Sequence, residues 1–248
     1  MRDLQLEIAD DAQDLARRMT RLFLSAAEQA ICSRGVFRTA LSGGRTPELF
    51  LRQLASEPRA QTLAWDPIHV FWVDERYVPP DSTASNYRLV VENLLGRVKI
   101  PETNVHRVPT EYEDPRDAAV AYERTIRVVF GLQEGEMPQF DLIVLGMGRD
   151  GHTASLFPNS RVWCGADGLA GVVRAGGDVK IDRITLTRLV LQAARRLVVL
   201  ISGQEKAETF ELAVAADPDE RRYPIHVLWP VLDRVTWLVD RDAAGRNA

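Results

Sequence analysis

Residues 140–152 read Phe-Asp-Leu-Ile-Val-Leu-Gly-Met-Gly-Arg-Asp-Gly-His. The first seven are apolar on both faces, which is the pattern of a strand in the middle of a parallel sheet covered by helices on either side. The stretches around it agree. Upstream, LQLEI at 4–8 alternates like a strand. Ala12, Leu15, Ala16, Met19, Leu22, Phe23, Ala26, Ala27 and Ala30 then recur at helical spacing up to Gly35. FRTALS at 37–42 is a short strand, and after the turn GGRTP the segment PELFLRQLAS reads as a helix with Pro47 in its first turn. IHVFWV (68–73) is a buried strand, while SNYRLVVENLL (85–95) and DAAVAYERTIRVVF (117–130) are helices. Downstream, GLAGVVRA, RITLT and RLVVLIS are strand candidates, 204–216 is a helix, and VTWLV at 235–239 is a last strand. Strands alternating with helices predict an α/β class: a doubly wound, mostly parallel sheet flanked by helices. The glycine-rich stretch 159–182 has no clear period.

Composition sets the outer limits. At about 150 residues per domain, the 248 residues fit one large domain or two small ones; no repeat or long linker divides the chain, so residues 1–248 are expected to form a single domain. With 46% hydrophobic and 27% charged residues the chain is too apolar for disorder. Its formal charge of −4 is unlike a protein built around a nucleic-acid backbone. Cys32 and Cys164 are the two cysteines and form no CxxC pair, so neither a disulfide scaffold nor a thiolate zinc site is supported. The opening MRDLQLEIADDAQD carries acids where a signal peptide has its apolar core, and LVVLI at 197–201 is too short to span a bilayer. The expected location is cytoplasmic, with no membrane partner.

Loops at the carboxyl ends of parallel strands are where ligands bind in such folds, and three of them carry chemistry. Ser42-Gly43-Gly44-Arg45-Thr46-Pro47 joins a strand to a helix. Glycines let the backbone approach an anion, and hydroxyls and unpaired N–H groups supply donors, so the segment reads as a phosphate cradle. It reads equally as a tight turn with Thr46 as helix cap. No Gly-Lys-Ser/Thr follows, so it is not a Walker loop. Asp74-Glu75-Arg76 ends the strand IHVFWV. If strand geometry persists, Asp74 and Arg76 share a face and Glu75 takes the other; without other clues the trio is a solvated charge cluster.

The segment Leu145–Pro158 (LGMGRDGHTASLFP) matches GxGxxG after a strand. A dinucleotide fold would also need a helix running on from the third glycine and an acid at the next strand's end. Pro158 comes too soon and Asp167 sits in a glycine-rich loop, so nucleotide binding ranks low. His152, just past Gly148, Asp150 and Gly151, is the natural general base. The other three histidines (His69, His106, His226) sit in a strand or in apolar contexts and read as packing residues. There is no GxSxG, no HExxH and no histidine pair at ligand spacing, which leaves direct activation of water for a hydrolase. Arg183 opens the strand RITLT, and Lys206 follows Ser202-Gly203 at a helix start; both are candidates to meet a phosphate, although surface cations are common.

SGGRTP, VDERYVPPDSTASNY and LGMGRDGHTASLFP, in this order and at these separations, closely resemble the 6-phosphogluconolactonase family of the glucosamine/galactosamine-6-phosphate isomerase superfamily. The likeness extends through RITLT and ISGQEK, from residue 37 to about residue 210. It implies the sugar-phosphate isomerase-like fold and hydrolysis of 6-phospho-D-glucono-1,5-lactone in the oxidative pentose phosphate pathway, with no metal or organic cofactor; a monomer or weak homodimer is expected. Carried onto this chain, it makes His152 the base and Asp74 and Arg76 polar groups of the site. Ser42, Gly43, Gly44, Thr46, Arg183 and Lys206 become phosphate ligands, and Gly148, Asp150 and Gly151 of the histidine segment are expected to bind the substrate with them. Asp74 is then a candidate to orient His152 or to bind sugar hydroxyls. Backbone N–H groups of the glycine segment, or Arg76, are candidates for the oxyanion. The family's prolines before the RIT strand are replaced here by Val179-Lys180-Ile181-Asp182. Two alternatives remain: a glucosamine-6-phosphate deaminase or isomerase, which shares the glycine loop and GxDGH but continues differently from TASLFP, and a sugar-phosphate-binding regulator without catalysis, against which His152 argues.

Overall fold

The computed structural model describes residues 4–164, 168–176 and 180–245. Asp167 and Val179, singled out above, and the first three residues of the N-terminal stretch lie outside them. In chain order the first half comprises β1 (Gln5–Ala9), α1 (Ala12–Arg34), β2 (Phe37–Leu41), α2 (Arg45–Ser56), α3 (Pro58–Thr62), β3 (Ile68–Trp72), β4 (Asp74–Arg76), α4 (Asn86–Asn93), β5 (Val105–His106) and α5 (Pro115–Phe130). The second half comprises β6 (Leu142–Gly146), β7 (Trp163–Cys164), β8 (Ala170–Val173), β9 (Arg183–Leu186), α6 (Arg188–Ala193), β10 (Leu197–Ile201), α7 (Ala207–Ala215), β11 (Val235–Asp240) and α8 (Arg241–Ala244).

Seven strands form a wholly parallel sheet in the order β1-β11-β10-β6-β2-β3-β5. β6 lies in its middle, with Leu142 to Leu145 all buried, as its two-sided apolar pattern requires. From β2 the chain moves outward to β3 and β5. It then returns to the other side of β2 as β6 and continues outward to β10 and β11. The order therefore reverses between β2 and β6, and the loops after these strands flank the crevice that such a reversal leaves at the carboxyl edge.

Helix α1 shows how closely local signals set the elements. The Asp11 carboxylate accepts from the Asp14 N–H at 2.7 Å at its start, and Gly35 in the left-handed conformation (φ 72°) ends it. Its buried stripe, Leu15, Met19, Phe23, Ala27 and Ala30, packs on the sheet, where the Phe23 ring meets Phe37 edge-on at 5.3 Å and tilts against Phe50 at 5.8 Å. Across the sheet, the buried Tyr122 hydroxyl of α5 accepts from the Trp72 N–H at 2.9 Å and donates to the Trp72 carbonyl at 2.7 Å. Among the described residues, no helix is long and apolar enough to cross a membrane.

The strands β4, β9, β8 and β7 form a second, antiparallel sheet in that order. The sequence expectation had GLAGVVRA and RITLT joining one mostly parallel sheet; they instead supply β8 and β9 of this smaller one. Val73 is the reason the two sheets meet. Its N–H donates to Leu41 O of β2 at 3.0 Å and its carbonyl accepts from the Leu186 N–H of β9 at 2.7 Å. One buried residue thus ends the third parallel strand and carries β4 across the carboxyl edge of the main sheet.

Candidate active site

Three neighbouring strands of the main sheet, β10, β6 and β2, deliver three loops to one edge, and β4 and β9 close the space above them. The cavity between has a volume of about 440 Å³, within the range that holds a small ligand. Ser42, Gly43, Gly44, Thr46, Asp74, Arg76, Gly148, His152, Arg183 and Lys206 all line it. Asp150 and Gly151, expected beside them, do not. Asp150 stands behind His152 and Gly151 packs on Tyr223.

In the β2 loop, Ser42 is 5% exposed and its hydroxyl has no partner, so a buried donor faces the cavity's side of the loop with its hydrogen-bonding capacity unused. Gly43 leaves room for Asn86, whose amide a Cβ at this position would overlap. Gly44, with φ 102°, is the N-cap of α2 and offers no side chain to its first turn. Thr46 is therefore inside the helix and is not its cap, so the N-terminal N–H groups receive no side-chain cap.

The short strand β4 keeps the alternation expected for Asp74-Glu75-Arg76. Glu75 turns away from the cavity, and its carboxylate accepts from the N–H groups of Arg76 (2.7 Å), Asn86 (2.8 Å) and Tyr87 (2.7 Å) and from the Ser85 hydroxyl (3.1 Å). Burial pushes the Glu75 carboxyl up, and these donors partly counter the shift. Its work is to fix the start of α4. Asp74, on the cavity side, accepts from the Ser155 hydroxyl at 2.6 Å and lies 3.8 Å from Arg183. Arg76 donates to Ala84 O at 2.9 Å and Asn86 Oδ1 at 3.0 Å.

Arg76 is directly opposite Arg183 in the β4–β9 pairing. Like charges facing each other across a ladder are destabilising. Burial lowers the Arg183 pKa, Asp74 raises it and Arg76 lowers it further. Two guanidiniums held together over one cavity mark a place suited to negative charge.

The β6 loop shows why its glycines matter. Gly148 has no Cβ, and one would overlap both His152 Nδ1 and Asp150 Oδ1; these two atoms are 2.5 Å apart. Gly151, at φ 79°, turns the chain so that residues 150 and 152 meet. Burial raises the Asp150 carboxyl, but the hydrogen bond and charge of His152 outweigh it and the net shift is downward. An ionised Asp150 has no proton to donate, so Nδ1 carries the hydrogen and Nε2 is left with its lone pair in the neutral ring. The Phe157 ring lies 4.5 Å from the imidazole. Asp74 is bonded to Ser155 and not to His152, so of its two candidate roles the geometry does not support orienting the histidine. Two of the glycine segment's N–H groups are engaged as well: Gly148 N–H donates to His152 O at 2.8 Å and Gly151 N–H to Gly148 O at 3.1 Å. They are therefore not free for an oxyanion. After His152 the chain makes a Thr153–Leu156 bridge, with Ala154 at φ 51°, and no dinucleotide-type helix follows.

Beyond β10, Ser202 and Gly203 are tied to Asp240 of β11. Lys206 lies in a 3-10 turn ahead of α7 and donates to Met147 O of the β6 loop. Burial pulls its pKa down and Glu205 pulls it up, with a net lowering. Asn86, Arg45 and Glu205 also line the cavity, and sequence reasoning did not select them. Asn86 lay within the motif VDERYVPPDSTASNY but has no titratable group to draw notice. Its side chain joins Gly43, the Asp74 carbonyl (2.9 Å) and Arg76.

The family model described as glucosamine-6-phosphate isomerases/6-phosphogluconolactonase matches residues 10–237. The chain belongs to this family. Within the family it is 37% identical to a protein of Synechocystis sp. named 6-phosphogluconolactonase, over 98% of each chain. It is 38% identical to a Nostoc sp. protein of the same name, over 97% of this chain and 96% of that one. A solved 6-phosphogluconolactonase from Thermotoga maritima is 31% identical with a TM-score of 0.79, covering 95% of this chain and 99% of the other. The family's α/β fold, a parallel sheet flanked by helices, is the one described above.

Proposed function

We propose that the protein hydrolyses 6-phospho-D-glucono-1,5-lactone to 6-phospho-D-gluconate, with water activated by His152. The observation that carries this reading is the His152–Asp150 pair, seated over Gly148 and facing a cavity lined by Arg76, Arg183 and Lys206. Full-length likeness to proteins named 6-phosphogluconolactonase supports the substrate.

The C6 phosphate is held by the Ser42–Thr46 loop with its unpartnered Ser42 hydroxyl and uncapped helix start, and by Lys206 and Arg183. Anchoring one end of the substrate brings the lactone carbonyl to His152 as an intramolecular encounter. Nε2 takes a proton from water as its oxygen attacks C1, and Asp150 stabilises the imidazolium. The carbonyl oxygen of the tetrahedral intermediate becomes an oxyanion, for which the Arg76 guanidinium lining the cavity is the donor. The bond from C1 to the ring oxygen then breaks, the imidazolium returns its proton to that oxygen, and the acid product ionises. Asp74 holds Arg183 and Ser155 in place.

Freshly generated lactone, with the spontaneous reaction subtracted, provides the test. Rapid hydrolysis of the phosphorylated lactone and poor hydrolysis of gluconolactone are expected. Equal turnover of the two, or no acceleration above background, overturns the reading.

A further inference from the structure

Three loops of opposite charge meet at the rim of the cavity. Arg45 opens α2 after the β2 loop, Arg149 stands in the β6 loop, and Glu205 lies in the turn after β10. Glu205 Oε1 is 2.8 Å from a guanidinium nitrogen of Arg45 and 3.8 Å from one of Arg149. The carboxylate folds back over Gly203, where a Cβ would overlap Oε2. Arg45 and Glu205 line the same cavity as Ser42, Thr46 and Lys206. The Glu205 carboxyl is held below its usual range, first by a backbone N–H and then, against slight desolvation, by Arg45, Arg149 and Lys206. A negative group is thus lodged among three cations at the entrance to a site that otherwise collects positive charge.

We infer that Glu205 is a specificity-determining residue, an internal counter-anion that the substrate's phosphate displaces from Arg45 and Arg149. The inference rests on the proposed phosphate site. The exchange is easy because the arginine side chains are 83% and 68% exposed, and ion pairs in water are weak. A phosphomonoester brings a charge of about −1.5 to −2 at neutral pH, against a single negative charge on the carboxylate. The phosphate therefore wins the arginines, whereas a neutral lactone or a lone carboxylate does not. Discrimination comes from a competitor already in place.

The test compares the wild type with Glu205→Gln, which keeps size and removes charge. Binding of inorganic phosphate, 6-phosphogluconate and gluconate is measured by calorimetry at low and at physiological salt. Removing one charge at the rim is expected to tighten both phosphate ligands by about fivefold at low salt, with the gain shrinking as salt rises. Gluconate, no longer outcompeted for the arginines, is expected to gain at least as much, so that the preference for the phosphorylated ligand does not widen. In turnover the gain appears as a lower KM and not as a higher kcat. Adding Arg45→Ala to the variant abolishes the gain. Unchanged or weaker phosphate binding by Glu205→Gln overturns the inference, as does a gain that salt does not reduce or that survives loss of Arg45. A wild type that prefers 6-phosphogluconate over gluconate while the variant shows no gain refutes Glu205 alone; a wild type with no preference refutes the phosphate site itself.

Discussion

Replacing His152 by Asn separates catalysis from stability, because the structure assigns the side chain little of the fold. The imidazole is 31% exposed, its one side-chain hydrogen bond is to Asp150, and its ring contact is Phe157. A partly exposed pair of this kind contributes at most about 1 kcal/mol, so the melting temperature should fall by no more than about 2–4 °C for a chain of this size. Loss of a general base costs about 10²–10⁴ in rate. His152→Asn should therefore fold normally, bind 6-phosphogluconate as the wild type does, and lose most turnover above the spontaneous background. Asp150→Asn should fall less, by about 10–10², since the base remains and only its tautomer and its cation lose support. The assay is initial-rate hydrolysis of fresh lactone, with circular dichroism melts as the control for folding. A well-folded His152→Asn enzyme with near wild-type turnover refutes the assignment of the base, and an Asp150→Asn variant without loss refutes the pairing argument.

Lys206→Ala and Arg183→Ala should each weaken 6-phosphogluconate binding by about 1.5–3 kcal/mol, measured by calorimetry; unchanged affinity in both would remove them from the phosphate site. Gly148→Ala places a methyl group where His152 Nδ1 and Asp150 Oδ1 now meet, so kcat should drop sharply while the melting temperature moves by only a few degrees, and a fully active variant would contradict the packing. His106 stacks on His69 with ring centroids 5.2 Å apart, and burial, followed by the charge of His69, pushes its pKa down to about 4. The folded state thus favours the neutral ring: nothing is lost above about pH 6.5, where the unfolded histidine is neutral too, and stability declines as pH falls from there towards 4. Melts across this range should show the decline, and His106→Gln should flatten it; an identical pH dependence in the variant would assign the acid sensitivity elsewhere.

Periodicity was sufficient for the elements whose burial is set by their own residues. The apolar run 140–146 marked the middle strand, the stripe from Leu15 to Ala30 marked α1, and alternation in Asp74-Glu75-Arg76 placed two side chains on the cavity side and one away from it. Glycines after strands marked the loops that line the site, since a missing Cβ is a local property. The His152–Asp150 contact was also within reach of the sequence: the residues are two apart across a glycine, and that spacing is the signal that could have named Asp150 as the partner in place of Asp74. What the sequence could not carry were relations between distant segments. Val73 ends one sheet and carries the chain into another, which no pattern of six residues encodes. Arg76 faces Arg183, Asp74 receives Ser155, and Arg45 meets Glu205 because the order of strands brings separate loops to one edge. The membership of each side chain in a site depends on strand order and register, and these are settled by which apolar faces bury one another, a property of the whole chain and not of any stretch of it.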